Sequence, residues 1–129
     1  MVKALSKRAE KVHGGIDPHI DNMLRITSDG RKLGLDQRII NPMLPDEPET
    51  KVNKCVENIL KIWKEGDSEK LTQLVFCDIA TPSGKPNDGS EDAPFTNIYD
   101  DIRRKLISAG MAPEQVAFIH SAKTDIQKK

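Results

Sequence analysis

Aromatic residues are scarce: three Phe, one Tyr and one Trp make up 4% of the 129 residues. Apolar residues are sparse as well, 36%, or about 42% once the 8 glycines are counted. Globular domains usually carry roughly 45–50%. The length suits one modest core, with parts of the chain left as loop. No apolar run approaches the roughly 18 residues of a membrane-spanning helix, which excludes an integral membrane protein of that kind. The first ten residues are charged and lack an apolar centre, so no secretory leader is expected. Cysteine is rare too. Cys55 and Cys77 stand inside apolar patterns without metal-ligand spacing and read as buried thiols of a reducing compartment.

Motifs that carry chemistry are also missing. No GxxxxGK[ST] phosphate loop occurs, and in the nearest string, Gly84-Lys85-Pro86, proline stands where the hydroxyl is required. GxSxG, HExxH and CxxC are absent. His13, His19 and His120 are 6 and 101 residues apart, which argues against a local metal site. His120 reads as a hydrogen-bonded histidine closing a strand. Asp100 and Asp101 open a helix, where carboxylates complement the dipole without acid–base work. The chain holds no assembled catalytic site.

Net charge is zero, 20 basic against 20 acidic residues, but it is unevenly spread. Residues 1–44 carry 8 basic and 5 acidic side chains, residues 45–101 carry 6 and 13, and residues 102–129 carry 6 and 2. Two mildly basic ends flank an acidic middle. Basic ends can meet phosphates, although a solvated helix face has the same composition.

Along the chain, residues 1–12 read as a helix that stops at Gly14-Gly15. Ser28-Asp29-Gly30 between apolar residues reads as a short β-ribbon, with a helical turn over 21–26 as the alternative. Pro42, Pro45 and Pro48 mark a linker, so residues 1–49 and 50–129 are expected to be separate regions. From Thr50, the positions Val52, Cys55, Val56, Ile59, Leu60 and Trp63 form one apolar stripe, a helix ended by Gly66. Residues 71–79 (LTQLVFCDI) are nearly continuously apolar and read as a strand covered on both faces. Residues 81–94, rich in Gly, Pro, Ser and Asp, read as a loop. A second helix follows over 97–109, with Ile98, Ile102 and Leu106 on one side and Gly110 as its stop. Residues 116–119 read as a second strand, before a helix capped by Ser121 or Thr124. Strand, helix, strand makes a right-handed parallel βαβ unit. The expectation is therefore an α/β fold, and part of a larger domain.

The order of these segments resembles the second RecA-like lobe of superfamily-two helicases of the Swi/Snf type. The resemblance rests on a helix opened by Thr50-Lys51, then LTQLVFCDIATP, NIYDDIRRKLISAGM and VAFIHSAKTDIQKK. Residues 74–78 correspond to that lobe's motif IV, 106–110 to its Leu-x-x-x-Gly helix ending, and 119–128 to its histidine motif. The stretch DNMLRITSDGRKLGLDQRIINP looks like its counterpart in large phage and mobile-element proteins that join such a motor to a DNA adenine methylase. The chain departs from the pattern in reading His120-Ser121-Ala122 where the lobe has His-Gly-Ser, and in a long segment after motif IV.

What the resemblance implies is a non-catalytic piece of a DNA-dependent ATPase. ATP and magnesium would belong to the parent, as would S-adenosylmethionine if a methylase is fused to it; this chain would take no cofactor. Phosphate contacts would fall at Thr81, Ser121 and Lys123, at the C-terminal ends of strands, with Arg103, Arg104 and Lys105 weaker candidates. Partners would be DNA, bound weakly, the motor's first lobe, and a second copy at the exposed edge of residues 116–119. The location would be cytoplasmic, in a bacterial or phage-infected cell. The rival expectation is a free-standing α/β protein-interaction or adaptor module.

Overall fold

In a computed structural model, residues 1–79 and 97–121 are described. The chain divides into two compact units, Met1–Lys51 and Val52–Lys129. Four α-helices are present among the described residues: α1 (Val2–His13), α2 (Met23–Leu35), α3 (Lys51–Glu65) and α4 (Ile98–Ser108). Four single 3-10 turns punctuate them, and no strand is formed among the described residues.

In the first unit α1 packs on α2. Leu5, Arg8, Ala9 and Val12 form the partly covered face of α1, and Ile26, Asp29, Gly30 and Leu33 that of α2. Both sets follow the three-and-four spacing of a helix stripe. The expected β-ribbon is thus corrected, because Asp29-Gly30 lies in the middle of α2. Two facts, one local and one tertiary, override the turn signal. The Asn22 side chain caps the helix, accepting from the Arg25 amide at 2.9 Å. Asp29 is then carried round to Arg8 on α1, whose Nη1 donates to it at 2.8 Å. A helix-interior glycine costs about 1 kcal/mol.

After α2, Asp36 caps a 3-10 turn, Gln37–Ile39, and the proline-rich stretch follows. Asp36 and Arg38 are 1% and 4% exposed, so their charges must find each other inside the unit. Arg38 donates through Nε and Nη2 to the two Asp36 oxygens at 3.0 and 2.7 Å, and Nη2 also reaches Asp46 at 3.2 Å. One buried guanidinium therefore pins the turn to the proline-rich stretch.

The second unit is built on α3 and α4. Val56 and Ile59 of α3 join Leu106 and Met111 in its apolar centre, with Cys55, Leu60, Trp63, Ile102 and Val116 packed around them. The stripe expected of α3 is the one observed. α3 ends at Gly66, where an added Cβ would stand 2.8 Å from Leu71 Cδ1 and 3.1 Å from the Ile62 carbonyl oxygen. Only glycine lets the chain fold back so closely. α4 starts at Asn97, whose side chain accepts from the Asp100 amide at 2.9 Å. It ends in a Schellman motif. Met111 N–H donates to Leu106 O at 3.1 Å, Gly110 N–H donates to Ile107 O at 3.0 Å, and Gly110 takes φ +107.

The two expected strands do not pair, so the parallel RecA-like βαβ unit is not present. Residues 71–78 carry no assigned helix, turn or bend, and residues 116–118 precede the 3-10 turn Ile119–Ser121. Each segment has only some of its side chains covered. Gln73, Cys77, Ile79, Val116 and Phe118 are partly covered, and Gln73 Nε2 donates to Ile59 O at 3.0 Å. Helix side chains take the role that a strand ladder was expected to fill.

Candidate docking face

Residues 71–76 leave all four of their large apolar side chains exposed, with Leu71 and Val75 56% and 49% exposed. Leu74 and Phe76 are 81% and 90% exposed, between the partly covered Gln73 and Cys77. In residues 116–119, Val116 and Phe118 are partly covered, and Ile119 is 59% exposed. Both segments line one hollow of about 750 Å³, with Trp63, Tyr99, Ile102 and Met111 among its walls. Covering a single Phe or Leu side chain is worth about 1.5–3 kcal/mol. A bare row of this kind is therefore a strong attractor for an apolar partner.

Tyr99 ties the hollow together. Its hydroxyl donates to the Cys77 carbonyl. Its ring meets Phe118 and His120 edge-on, at centroid distances of 5.5 and 5.2 Å. Burial, then the nearby Cys77 and Asp78, push the Tyr99 phenol above its ordinary pKa, so it remains a hydrogen-bond donor. Burial, and then Cys77, push the Cys55 thiol up as well. A thiol held protonated is a poor nucleophile.

The basic residues of α4 are occupied within the fold. Asp101, 3% exposed, takes Arg104 Nη2 at 2.6 Å and Lys105 Nζ at 2.9 Å. Lys105 also donates to Asn53 of α3, bridging the two helices. Arg103 stands 5.9 Å from the Phe118 ring centroid, a cation–π distance. Of the expected phosphate contacts, Thr81, Lys123 and the side chain of Ser121 lie outside the described residues; the Ser121 backbone closes the turn Ile119–Ser121. Among the described residues no group of three His, Cys, Asp or Glu side chains gathers to hold a metal ion. No described helix is long and apolar enough to cross a membrane.

Sequence reasoning missed Tyr99 and the bare Leu74–Phe76 row. A signal was present in the run LTQLVFC, whose odd and even positions are both largely apolar. Such a run asks for cover on two faces, and the structure leaves Leu71, Leu74, Val75 and Phe76 exposed. No family model, curated protein or solved structure matches the chain.

Proposed function

We propose that the chain is a non-catalytic docking component whose second unit receives an apolar, extended segment. The observation that carries this is the run Leu74-Val75-Phe76, three consecutive apolar side chains that are 81%, 49% and 90% exposed. Among the described residues, 72–76 make no backbone hydrogen bond to another segment, which leaves main-chain groups for a partner that adds a strand. The test is a titration with anilinonaphthalene sulfonate, a dye that brightens on accessible apolar surface. The folded chain should bind it, and Phe76→Asp should abolish most of the signal while the helical circular dichroism stays unchanged. A folded chain that ignores the dye would overturn the reading.

A second reading makes the docked partner the motor portion of a DNA-dependent ATPase. Its support is the exposed row Lys3, Lys7 and Lys11 along α1. These lysines recur every four residues, about 6 Å apart along the helix axis, on one side of it. On this reading the chain itself does not turn over ATP, and it binds duplex DNA with a dissociation constant of about 10⁻⁴ M or weaker at physiological salt. Fluorescence anisotropy of labelled DNA checks it. Binding should weaken steeply with salt and fall further when the three lysines become glutamine.

A further inference from the structure

We infer that the hollow between α1, α2 and the loop joining them takes a small phosphate monoester, its doubly charged group held by Lys11, Arg25 and Lys32. The site lies in the first unit and is independent of the docking reading of the second. The hollow measures about 590 Å³, within the roughly 300–1,000 Å³ of small-molecule sites. Helix α2 lines it with Arg25, Ser28, Asp29 and Lys32, at the three-and-four spacing of one helix face. Helix α1 adds Arg8 and Lys11, one turn apart.

The charges of this lining do not cancel. Arg8 is consumed within the fold, because its Nε and Nη2 take both oxygens of Asp21 and its Nη1 takes Asp29. Those three groups together leave one negative charge. Lys11, Arg25 and Lys32 bring three positive ones, so the hollow as a whole is positive by two. Among the described residues the Lys11 and Lys32 ammonium groups make no ion pair or hydrogen bond. The Arg25 side chain donates through Nη1 to the main-chain carbonyls of His19 and Ile20, at 3.3 and 3.2 Å, and to no carboxylate. A phosphate monoester carries about two negative charges on one compact group at neutral pH, which matches the excess. A carboxylate or a phosphodiester carries one. The Ser28 hydroxyl adds a neutral donor, and Ile16 and Ile20 give the organic part of the ligand an apolar wall.

The test titrates the full chain with phenyl phosphate, and with phenyl sulfate as a probe of similar shape and one charge fewer, followed by amide NMR shifts. Phenyl phosphate should saturate and move the signals of residues 8–32, and phenyl sulfate should bind more weakly. Lys11→Gln combined with Lys32→Gln should weaken phenyl phosphate about tenfold or more, the effect of losing hydrogen bonds from a charged group. Helical circular dichroism should stay unchanged in that variant. Lys3→Gln combined with Lys7→Gln, on α1 but outside the lining of the hollow, should leave the affinity as it was. Equal losses from the two pairs would mean a diffuse positive field and overturn the site. Equal binding of the two probes, or no saturation with phenyl phosphate, overturns it as well.

Discussion

The two units solve the same problem with different materials. Val52–Lys129 gathers Val56, Ile59, Leu106 and Met111 into an apolar cluster and still leaves Leu74 and Phe76 bare. Met1–Lys51 buries Ile26 as its one fully covered apolar residue among those described, and beside it buries a charged pair, Asp36 and Arg38. Its helices are joined by Arg8, which grips Asp21 at 2.7 and 2.9 Å and Asp29 at 2.8 Å. One unit has apolar surface to spare and the other relies on ion pairs. Apolar cohesion is almost indifferent to pH and salt, whereas partly exposed ion pairs are screened and titrate. The second unit is thus suited to recognition, and the first is the one that solution conditions should disturb.

The sharpest way to break this comparison is to remove the charge that the first unit buries. Asp36→Ala strands the Arg38 guanidinium, with Asp46 as a remaining neighbour at 3.2 Å. A loss of about 3 kcal/mol is expected, the low end for breaking a buried pair. Amide exchange should accelerate across α1 and α2. Leu106→Ala is the counterpart in the second unit, where a hollow opens beside Val56 and Ile59. Its cost is about 3 kcal/mol as well, read by the fluorescence of Trp63, the one tryptophan of the chain, during urea unfolding. Equal responses of α1–α2 exchange to both variants would erase the distinction drawn between the units.

Acid sharpens it further. The hydrogen bonds from Arg8, chiefly, hold the Asp21 carboxyl below the ordinary carboxylate range. A depressed folded value means that this contribution is fully present above the unfolded value, near 4, and is lost as pH falls through the folded one. Exchange in α1 and α2 should therefore quicken below about pH 4, and salt should reproduce part of the effect. The apolar centre around Trp63 should respond less, and Arg8→Gln should flatten the pH dependence of the first unit.

Helices with a clean period and a chemical stop were legible in the sequence. The α3 stripe, Gly66, the Asn97 start and Gly110 all follow from local rules. What failed was pairing. Asp29-Gly30 carries a turn signal, but the partner of Asp29 is Arg8, 21 residues away, and no local rule sees it. Residues 71–79 and 116–119 have strand-like composition, and composition cannot say whether a helix face or a neighbouring strand will satisfy them. The Asp36–Arg38–Asp46 anchor was invisible for the same reason, because exposed and buried charges look alike in a sequence. The apolar run LTQLVFC was expected to be a strand covered on both faces; the structure forms no strand there and leaves Leu71, Leu74, Val75 and Phe76 exposed, and that bare run is the candidate docking site.

The smallest effects come from one substitution made in both units. Gly66→Ala should destabilise the second unit by about 1–3 kcal/mol, because the new methyl meets the Leu71 side chain at 2.8 Å and the Ile62 carbonyl at 3.1 Å. Leu71 can swing its Cδ1 aside, but the carbonyl belongs to α3 and cannot. Gly34→Ala should do the opposite. It lies within α2, is exposed, and has nothing within 4 Å of the added carbon. The gain, about 0.5–1 kcal/mol, comes from restricting the unfolded chain and should appear as slower exchange in α2. If Gly34→Ala instead loosened α2, the helix that replaced the expected β-ribbon would be the element in error, and with it the packing of α1 on α2.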